Sequence, residues 1–354
     1  MGKHEKTNDE KDVEYIYSKQ DVNIKEGKKK NKKKRHIGLK IFIFILVILA
    51  IAGGLFAKKV HDLEGNWLAA LFGHNKETLK NLDKLYVLAM GESTGMSDTI
   101  IICSYDPKTQ EASMLSIPRD TFIGDSKSKA KTSDKINSVY NNGKSPEKTM
   151  EEVNELTGLN IQNYVLIDTE ALVELVDVIG GVDFNVPIDM KYDDAGQDLH
   201  VDLKAGYQKL NGDQVEQLVR FRHNKNGSTY SYEYGIEDFG RMRTQREVII
   251  AIVKQTIQLK NIKEIGNIVD IAEKYVQTNM NFKSLKDYIP YAVNMNTENI
   301  KAAQLPGEAK YINGISFFLA DEEKTKETVD ELFNGKVTTE NENNTISNEN
   351  AIQE

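Results

Sequence analysis

The sequence predicts an α/β (α+β) sandwich, with a central mixed sheet flanked by helices and preceded by one transmembrane helix. Three observations predict it. Short apolar runs lie at 85–90, 99–105 and 112–117, the second with β-branched residues in its middle. From Ser145 onward, helical apolar stripes alternate with further short strands, the pattern of layered sheet and helix. Ahead of both, 37–57 is apolar except for Lys40, about the length that crosses a bilayer as a helix.

The N-terminal segment 1–36 reads as a cytoplasmic basic tail. Its run Lys28-Lys29-Lys30-Asn31-Lys32-Lys33-Lys34-Arg35 lies directly before the apolar stretch, and positive charge there keeps that end inside. The remainder is expected outside the cell membrane, on a single-pass anchor with a cytoplasmic N-terminus. A cleaved signal peptide also pairs basic and apolar runs, but Ala57-Lys58-Lys59 offers no convincing cleavage site. Residues 58–80 read as an extracellular connector, 81–336 as the folded domain, and 337–354, Thr-, Glu- and Asn-rich, as a disordered tail.

Residues 1–40 hold 13 basic and 7 acidic side chains, so with a total of −8 the rest carries about −14. That balance disfavours nucleic acid as a partner of the exported part, and the position of the basic run beside the span makes anionic membrane lipid its expected partner. Any anion handled by the domain must meet a local arginine cluster. The single cysteine, Cys103, excludes an intrachain disulfide and reads as a small buried apolar residue. The few histidines lack metal-ligand spacing, and no phosphate-binding Gly-x-x-x-x-Gly-Lys-Ser/Thr loop occurs.

Along the domain, Leu85–Met90 is a strand ending at Gly91, Thr99–Tyr105 a second, and Ala112–Ile117 a third after the turn at Asp106-Pro107. An antiparallel hairpin of the second and third brings Asp98 and Arg119 to one sheet edge. Ser145 caps a helix with Pro146 first and Gly158 as its stop. Tyr164–Ile167 is a strand, and Leu172–Ile179 a helix closed by Gly180-Gly181. Val182, Phe184 and Val186 alternate as a strand, as do Leu199, Val201 and Leu203. Asn211 caps a helix through Val219. A Tyr-rich loop at 223–237 precedes the longest helix of this region, which carries Val248, Ile249, Ile252, Val253 and Ile257 on its buried side. A helix, a hairpin turning at Asn313-Gly314 and a last helix fill 281–333.

Three segments bring arginines to element ends: Pro118-Arg119-Asp120-Thr121, Arg220-Phe221-Arg222, and Asp238-Phe239-Gly240-Arg241 running on to Thr244-Gln245. Alternation sends Arg220 and Arg222 to one side if that segment is extended. Arg241 and Gln245 stand in line with Val248 and Ile252 on one helix. Each segment alone has a bland explanation as solvated charge or ion pair. A cation ending an apolar stripe, however, calls for an anion. Guanidinium forks suit phosphoryl oxygens, and Asp98 supplies an oxygen for Mg²⁺.

With Ser97-Asp98-Thr99, Ser116-Ile117-Pro118-Arg119-Asp120-Thr121, Lys135-Ile136-Asn137, Leu175 to Val182, Ala205 to Gly212, Arg220-Phe221-Arg222 and Asp238 to Arg241 in this order, the chain resembles the LytR-CpsA-Psr family from about Leu85 to Gln255. The resemblance implies Mg-assisted transfer of an undecaprenyl-pyrophosphate-linked glycopolymer, such as teichoic acid or capsule, to a peptidoglycan sugar hydroxyl. It implies Arg119, Arg220, Arg222 and Arg241 as pyrophosphate-contacting catalytic residues and Gln245 as a polar substrate contact. Asp98 becomes the metal ligand for Mg²⁺ or Mn²⁺, and an apolar tunnel between sheet and helices takes the polyprenyl tail. Two departures stand out: Ser93 and Met96 replace an acidic residue and an arginine of the family pattern, and Thr244-Gln245 replaces its Arg-Gln. The alternatives to transfer are a catalytically weak polyprenyl-pyrophosphate binder and a lipid pyrophosphate hydrolase. Transcriptional regulation, an old label of the family, finds no helix-turn-helix with a basic face.

Overall fold

The computed structural model describes residues 37–334 except 94–95, 142–144, 259–260, 262–263 and 282–284; the side chains at 37–44, 93, 96, 141 and 265 also lie outside the description. The expectations for 1–36 and 337–354 therefore fall outside the described residues, as do the side chains of Ser93 and Met96. Two compact units divide the chain, 1–55 and 56–354. The first shows the apolar part of helix α1, Ile37–Asp62, which continues past Ala57 into the second unit. Among the described residues, no helix is long and apolar enough to cross a membrane.

Within the second unit, short helices α2 (Trp67–Leu71) and α3 (Lys76–Asn81) lead into the sheet. Strands β1 (Leu85–Ser93), β2 (Met96–Asp106) and β3 (Glu111–Ser116) form an antiparallel meander, in which β2 and β3 make the expected hairpin. Helices α4 (Ile136–Asn141) and α5 (Pro146–Thr157) then cross over to β4 (Asn163–Ile167), which pairs in parallel with β1. Ser145 caps α5, and Gly158 ends it in the left-handed region, as its sequence signals required. Helix α6 (Thr169–Val178) follows, capped by Asp168.

Hairpin-like pairs come next. Strand β5 (Val182–Val186) pairs with β8 (Gly206–Leu210), and β6 (Met190–Asp194) with β7 (Leu199–Leu203). Helix α7 (Gly212–Arg220) and the long α8 (Glu237–Thr256) pack with them around one core. Beyond them lie α9 (Ile265–Tyr275), β9 (Val276–Thr278) and α10 (Ile289–Ala292). Strands β10 (Lys301–Gln304), β11 (Gly307–Ile312) and β12 (Ile315–Ala320) and helix α11 (Glu322–Val329) end the described chain. The main sheet is mixed and six-stranded, ordered β10-β3-β2-β1-β4-β9.

Strand alternation gives this sheet two different faces. Leu88, Met90, Ile100, Ile102, Leu115 and Ile117 point into one core with α4, α5 and the C-terminal elements. A second core gathers α6, α7, α8 and the small sheets around Val176, Val201, Leu218 and Phe221. Gly212 permits the close α6/α7 contact, because a Cβ there would stand 2.4 Å from the Val173 carbonyl oxygen. The opposite face of the main sheet carries Val87, Ala89, Gly91 and Cys103, and it is not solidly filled. Cavities lie between it and α8.

Candidate functional site: an arginine cluster at the mouth of an apolar cavity

A β-bulge creates the polar end of the site. Gly91 pairs with Thr99 but Glu92 pairs with Ser97, so Asp98 is the extra residue in β2. A bulge locally bends a strand and re-aims its side chain. Asp98 thereby faces the cavity together with Glu92, whose carboxylate also accepts from the Tyr140 hydroxyl at 2.5 Å. The expectation that Asp98 precedes the second strand is corrected by this register: β2 already begins at Met96.

Arg119 arrives from the end of β3, as the hairpin requires. Its Nη1 donates to Asp98 Oδ1 at 2.5 Å. The turn that holds it is tightly tied: the Thr121 hydroxyl donates to the Pro118 carbonyl, Asn137 N donates to the Arg119 carbonyl, and Lys135 pairs with Asp120 at 2.9 Å. Lys135-Ile136-Asn137 thus fixes the turn and contributes no group to the cavity. Burial opposes the charge of Arg119, but Asp98 and Asp238 outweigh it and raise its pKa.

Arg220 ends helix α7 and lines the cavity, its guanidinium donating to Glu216 at 2.7 Å and to the Gln197 carbonyl at 2.8 Å. The extended alternation expected for Arg220-Phe221-Arg222 is therefore corrected. Arg220 is helical, and the chain extends only from Phe221, whose buried ring anchors the segment. Arg222 does not line the cavity, and neither does Arg119, which meets it only through its ion pair with Asp98. The Arg222 Nε lies 3.6 Å from Asp238, which links Arg222 to the cluster from the side.

Arg241 and Gln245 project from successive turns of α8 into the cavity. Arg241 is only 6% exposed. Its Nη2 lies 2.5 Å from Asp238 Oδ1, yet neither Nη2 nor Nε finds a well-aligned acceptor. Burial lowers its pKa, Asp238 partly offsets that, and Arg119 and Arg222 lower it further. Gln245 donates to the Val219 carbonyl at 3.1 Å, joining α8 to α7.

Behind this polar mouth the cavity is apolar, lined by Ala89, Leu172, Val219, Val248, Ile249 and Ile252. Ile249 also lines a second cavity, with Val87, Cys103, Tyr105, Met114 and Val253, along the same sheet face. This corrects the expected buried stripe of α8. Only Val248 is fully buried, while Ile249, Ile252 and Val253 are half-buried because they face these spaces. The fully buried positions of α8 include the polar Thr244, Gln245 and Gln255.

Cys103 meets the cavity rather than bulk water, and burial pushes its thiol up to about 12. Alkylation at pH 8 is accordingly expected to run on the order of a thousandfold slower than for a free cysteine, because the thiolate is the reacting form. Timed mass spectrometry of the iodoacetamide-treated chain measures this, and rapid labelling contradicts the enclosed surface.

Several contributors were not singled out from sequence. Glu216 and Asp238 stand four and three residues before their arginines, a helical spacing that could have marked them. The Tyr-rich loop clamps the start of α8: the Tyr234 hydroxyl donates to Glu247 at 2.7 Å and meets the Thr244 hydroxyl at 3.0 Å, while Arg243 lies over the Tyr234 ring. Thr244 thus belongs to this clamp and not to the cavity. Arg246, half-buried beside β3, donates to Ser116 Oγ at 2.8 Å. Among the described residues, no group of three or more His, Cys, Asp or Glu side chains is placed to hold a metal.

Comparison with known proteins places this arrangement. The model described as the LytR_cpsA_psr family matches residues 59–334. The polyisoprenyl-teichoic acid–peptidoglycan teichoic acid transferase TagU of Bacillus subtilis is 29% identical over 263 residues, covering 72% of this chain and 79% of TagU. Biofilm regulatory protein A of Streptococcus mutans is 28% identical over 313 residues, covering 80% of this chain and 73% of that protein. The crystal structure of B. subtilis TagV superposes with a TM-score of 0.58 at 27% identity, over 71% of this chain and 98% of that one. With its mixed sheet, its helices and a family match across most of its length, the chain belongs to the LytR-CpsA-Psr family.

Proposed function

We propose that this protein transfers a polyprenyl-pyrophosphate-linked glycopolymer, teichoic acid- or capsule-like, to a peptidoglycan sugar hydroxyl. The observation that carries the reading is Arg241: a buried guanidinium with unaligned N–H groups, at the polar mouth of an apolar cavity. A diphosphate supplies acceptors of matching fork geometry, and the polyprenyl tail fits the apolar lining. The acceptor oxygen forms a bond to the polymer-side phosphorus. The bond from that phosphorus to the bridging oxygen breaks, polyprenyl phosphate leaves with the electron pair, and the hydroxyl proton passes to solvent. Such a reaction needs positioning and charge stabilisation rather than a covalent nucleophile.

Asp98, Glu216 and Asp238 already answer most of the guanidinium charge, so a bound pyrophosphate calls for a further cation. Asp98, with Glu92 beside it across the bulge, would hold Mg²⁺ or Mn²⁺. Such an ion takes few protein ligands and completes its shell with phosphate oxygens and water. It would supply neutralisation of the diphosphate. On the same reading α1 is a signal-anchor span, with the basic tail in the cytoplasm against anionic lipid and the catalytic domain outside the cell membrane.

Reconstitution with a synthetic polyprenyl-pyrophosphate glycan, peptidoglycan oligomers and Mg²⁺ tests the proposal. A phosphodiester-linked product in the mass spectrum is expected. Retained lipid binding without product, or release of phosphorylated glycan with water as sole acceptor, overturns it.

A further inference from the structure

Helix α2 has two contrasting sides. Leu68, Ala69 and Ala70 are buried, the two alanines against Leu63 and Tyr291. On the outside stand Trp67, Leu71 and Phe72, which are 46%, 62% and 39% exposed. Trp67 and Leu71 are four apart and share a helix face. Nothing in the catalytic reading uses them.

The helix is fixed in place rather than left loose. Asn66 accepts from Ala69 N at 2.9 Å and donates through its side chain to the Pro290 carbonyl at 2.9 Å. The three large apolar side chains are therefore presented as a rigid patch, and such a patch marks an interaction surface.

Chain continuity identifies what covers it. Exposed apolar residues of α1 run to Phe56, and the same helix continues through Lys58 and Lys59 to Asp62. Six helical residues beyond Phe56 advance the chain about 9 Å, comparable to the headgroup layer on one side of a bilayer. Trp67 lies five residues beyond Asp62. Tryptophan is enriched at that depth, where an apolar ring with one polar N–H is best solvated.

We propose that Trp67, Leu71 and Phe72 seat in the membrane–water interface of the bilayer that holds α1. This rests on the anchor reading of α1 and adds a second, in-plane contact. Its consequence for the site follows from shared neighbours. Tyr105 packs against the Leu63–Tyr291 cluster and also lines the second apolar cavity, and Ala292, next to Tyr291, lines that cavity too. The seated patch thus brings this second cavity close to lipid, so that a polyprenyl tail entering it need not cross water.

Trp67 is the only tryptophan in the sequence, so intrinsic fluorescence reports this one position. The full chain is incorporated into phosphatidylcholine/phosphatidylglycerol nanodiscs, with incorporation measured by co-migration. Lipids brominated near the headgroup are expected to quench Trp67 emission roughly twofold or more, as for a ring at the interface, while aqueous iodide quenches it weakly. Incorporated chain with emission quenched by iodide but not by bromolipid overturns the seat while leaving the anchor intact. Shielding from both quenchers points to a second protein copy as occupant and also overturns it. Failure to co-migrate overturns the anchor reading, and the seat with it.

Discussion

Replacing Arg241 with methionine is expected to slow polymer transfer by at least about a hundredfold, the scale for losing one buried donor to developing charge, while the melting temperature stays level or rises. The two halves of this expectation have one cause. Arg241 is buried, two of its nitrogens lack aligned acceptors, and its charge is disfavoured by burial and by Arg119 and Arg222. A cation so held is costly to the empty protein, because its desolvation is only partly repaid, and an apolar side chain of similar volume removes that cost so long as Asp238 keeps a partner. Asp238 is not abandoned, because Arg222 remains 3.6 Å away. Arg241→Lys is expected to restore little, since an ammonium cannot reproduce the planar fork. Initial rates with the lipid-linked substrate and a thermal melt measure both quantities. A stable variant with undiminished transfer removes Arg241 from the site. A lowered melting temperature with proportionate loss of rate assigns it a structural role instead.

Different parts of this molecule were legible in the sequence for different physical reasons. The β2–β3 hairpin and the crossover helix α5 were readable because short apolar runs broken by a turn, and cap residues, are local signals, and the Asp98–Arg119 juxtaposition followed from them. The bulge that aims Asp98 was not readable, since it depends on which residues pair across two strands, and composition does not fix register. Strands β6 and β8 escaped notice because their exposed polar faces leave too few apolar residues to alternate. Helix α8 misled more instructively. Its isoleucines and valines have the periodicity of a core stripe, and periodicity cannot distinguish residues packed against a sheet from residues lining a space beside it. The arginines were identified by sequence segment and resemblance. Their tethers, Glu216 and Asp238, emerged only when helical spacing was joined to actual positions.

Gly240→Ala is expected to damage fold and activity together, the opposite signature to Arg241→Met. A Cβ on Gly240 would lie 2.2 Å from the Gly235 carbonyl oxygen and 2.2 Å from the Tyr230 ring. Neither neighbour has room to retreat. Gly235 is held through its N–H to the Ser231 and Tyr232 carbonyls. Tyr230 stacks on Tyr234, meets Phe221 edge-on and donates its hydroxyl to the Phe221 carbonyl. Overpacking of a site that cannot relax costs about 3 kcal/mol, the upper part of the usual range. For a domain of this size that corresponds to a melting temperature lowered by roughly 5 °C. The strain also reaches the chemistry, because Arg241 is the next residue and Phe221 lies between Arg220 and Arg222. Transfer is therefore expected to fall even well below the variant's melting temperature. A variant that melts like the parent and transfers at the parent rate shows that the loop and α8 are not in contact at Gly240, and the tyrosine clamp would then no longer account for where Arg241 stands.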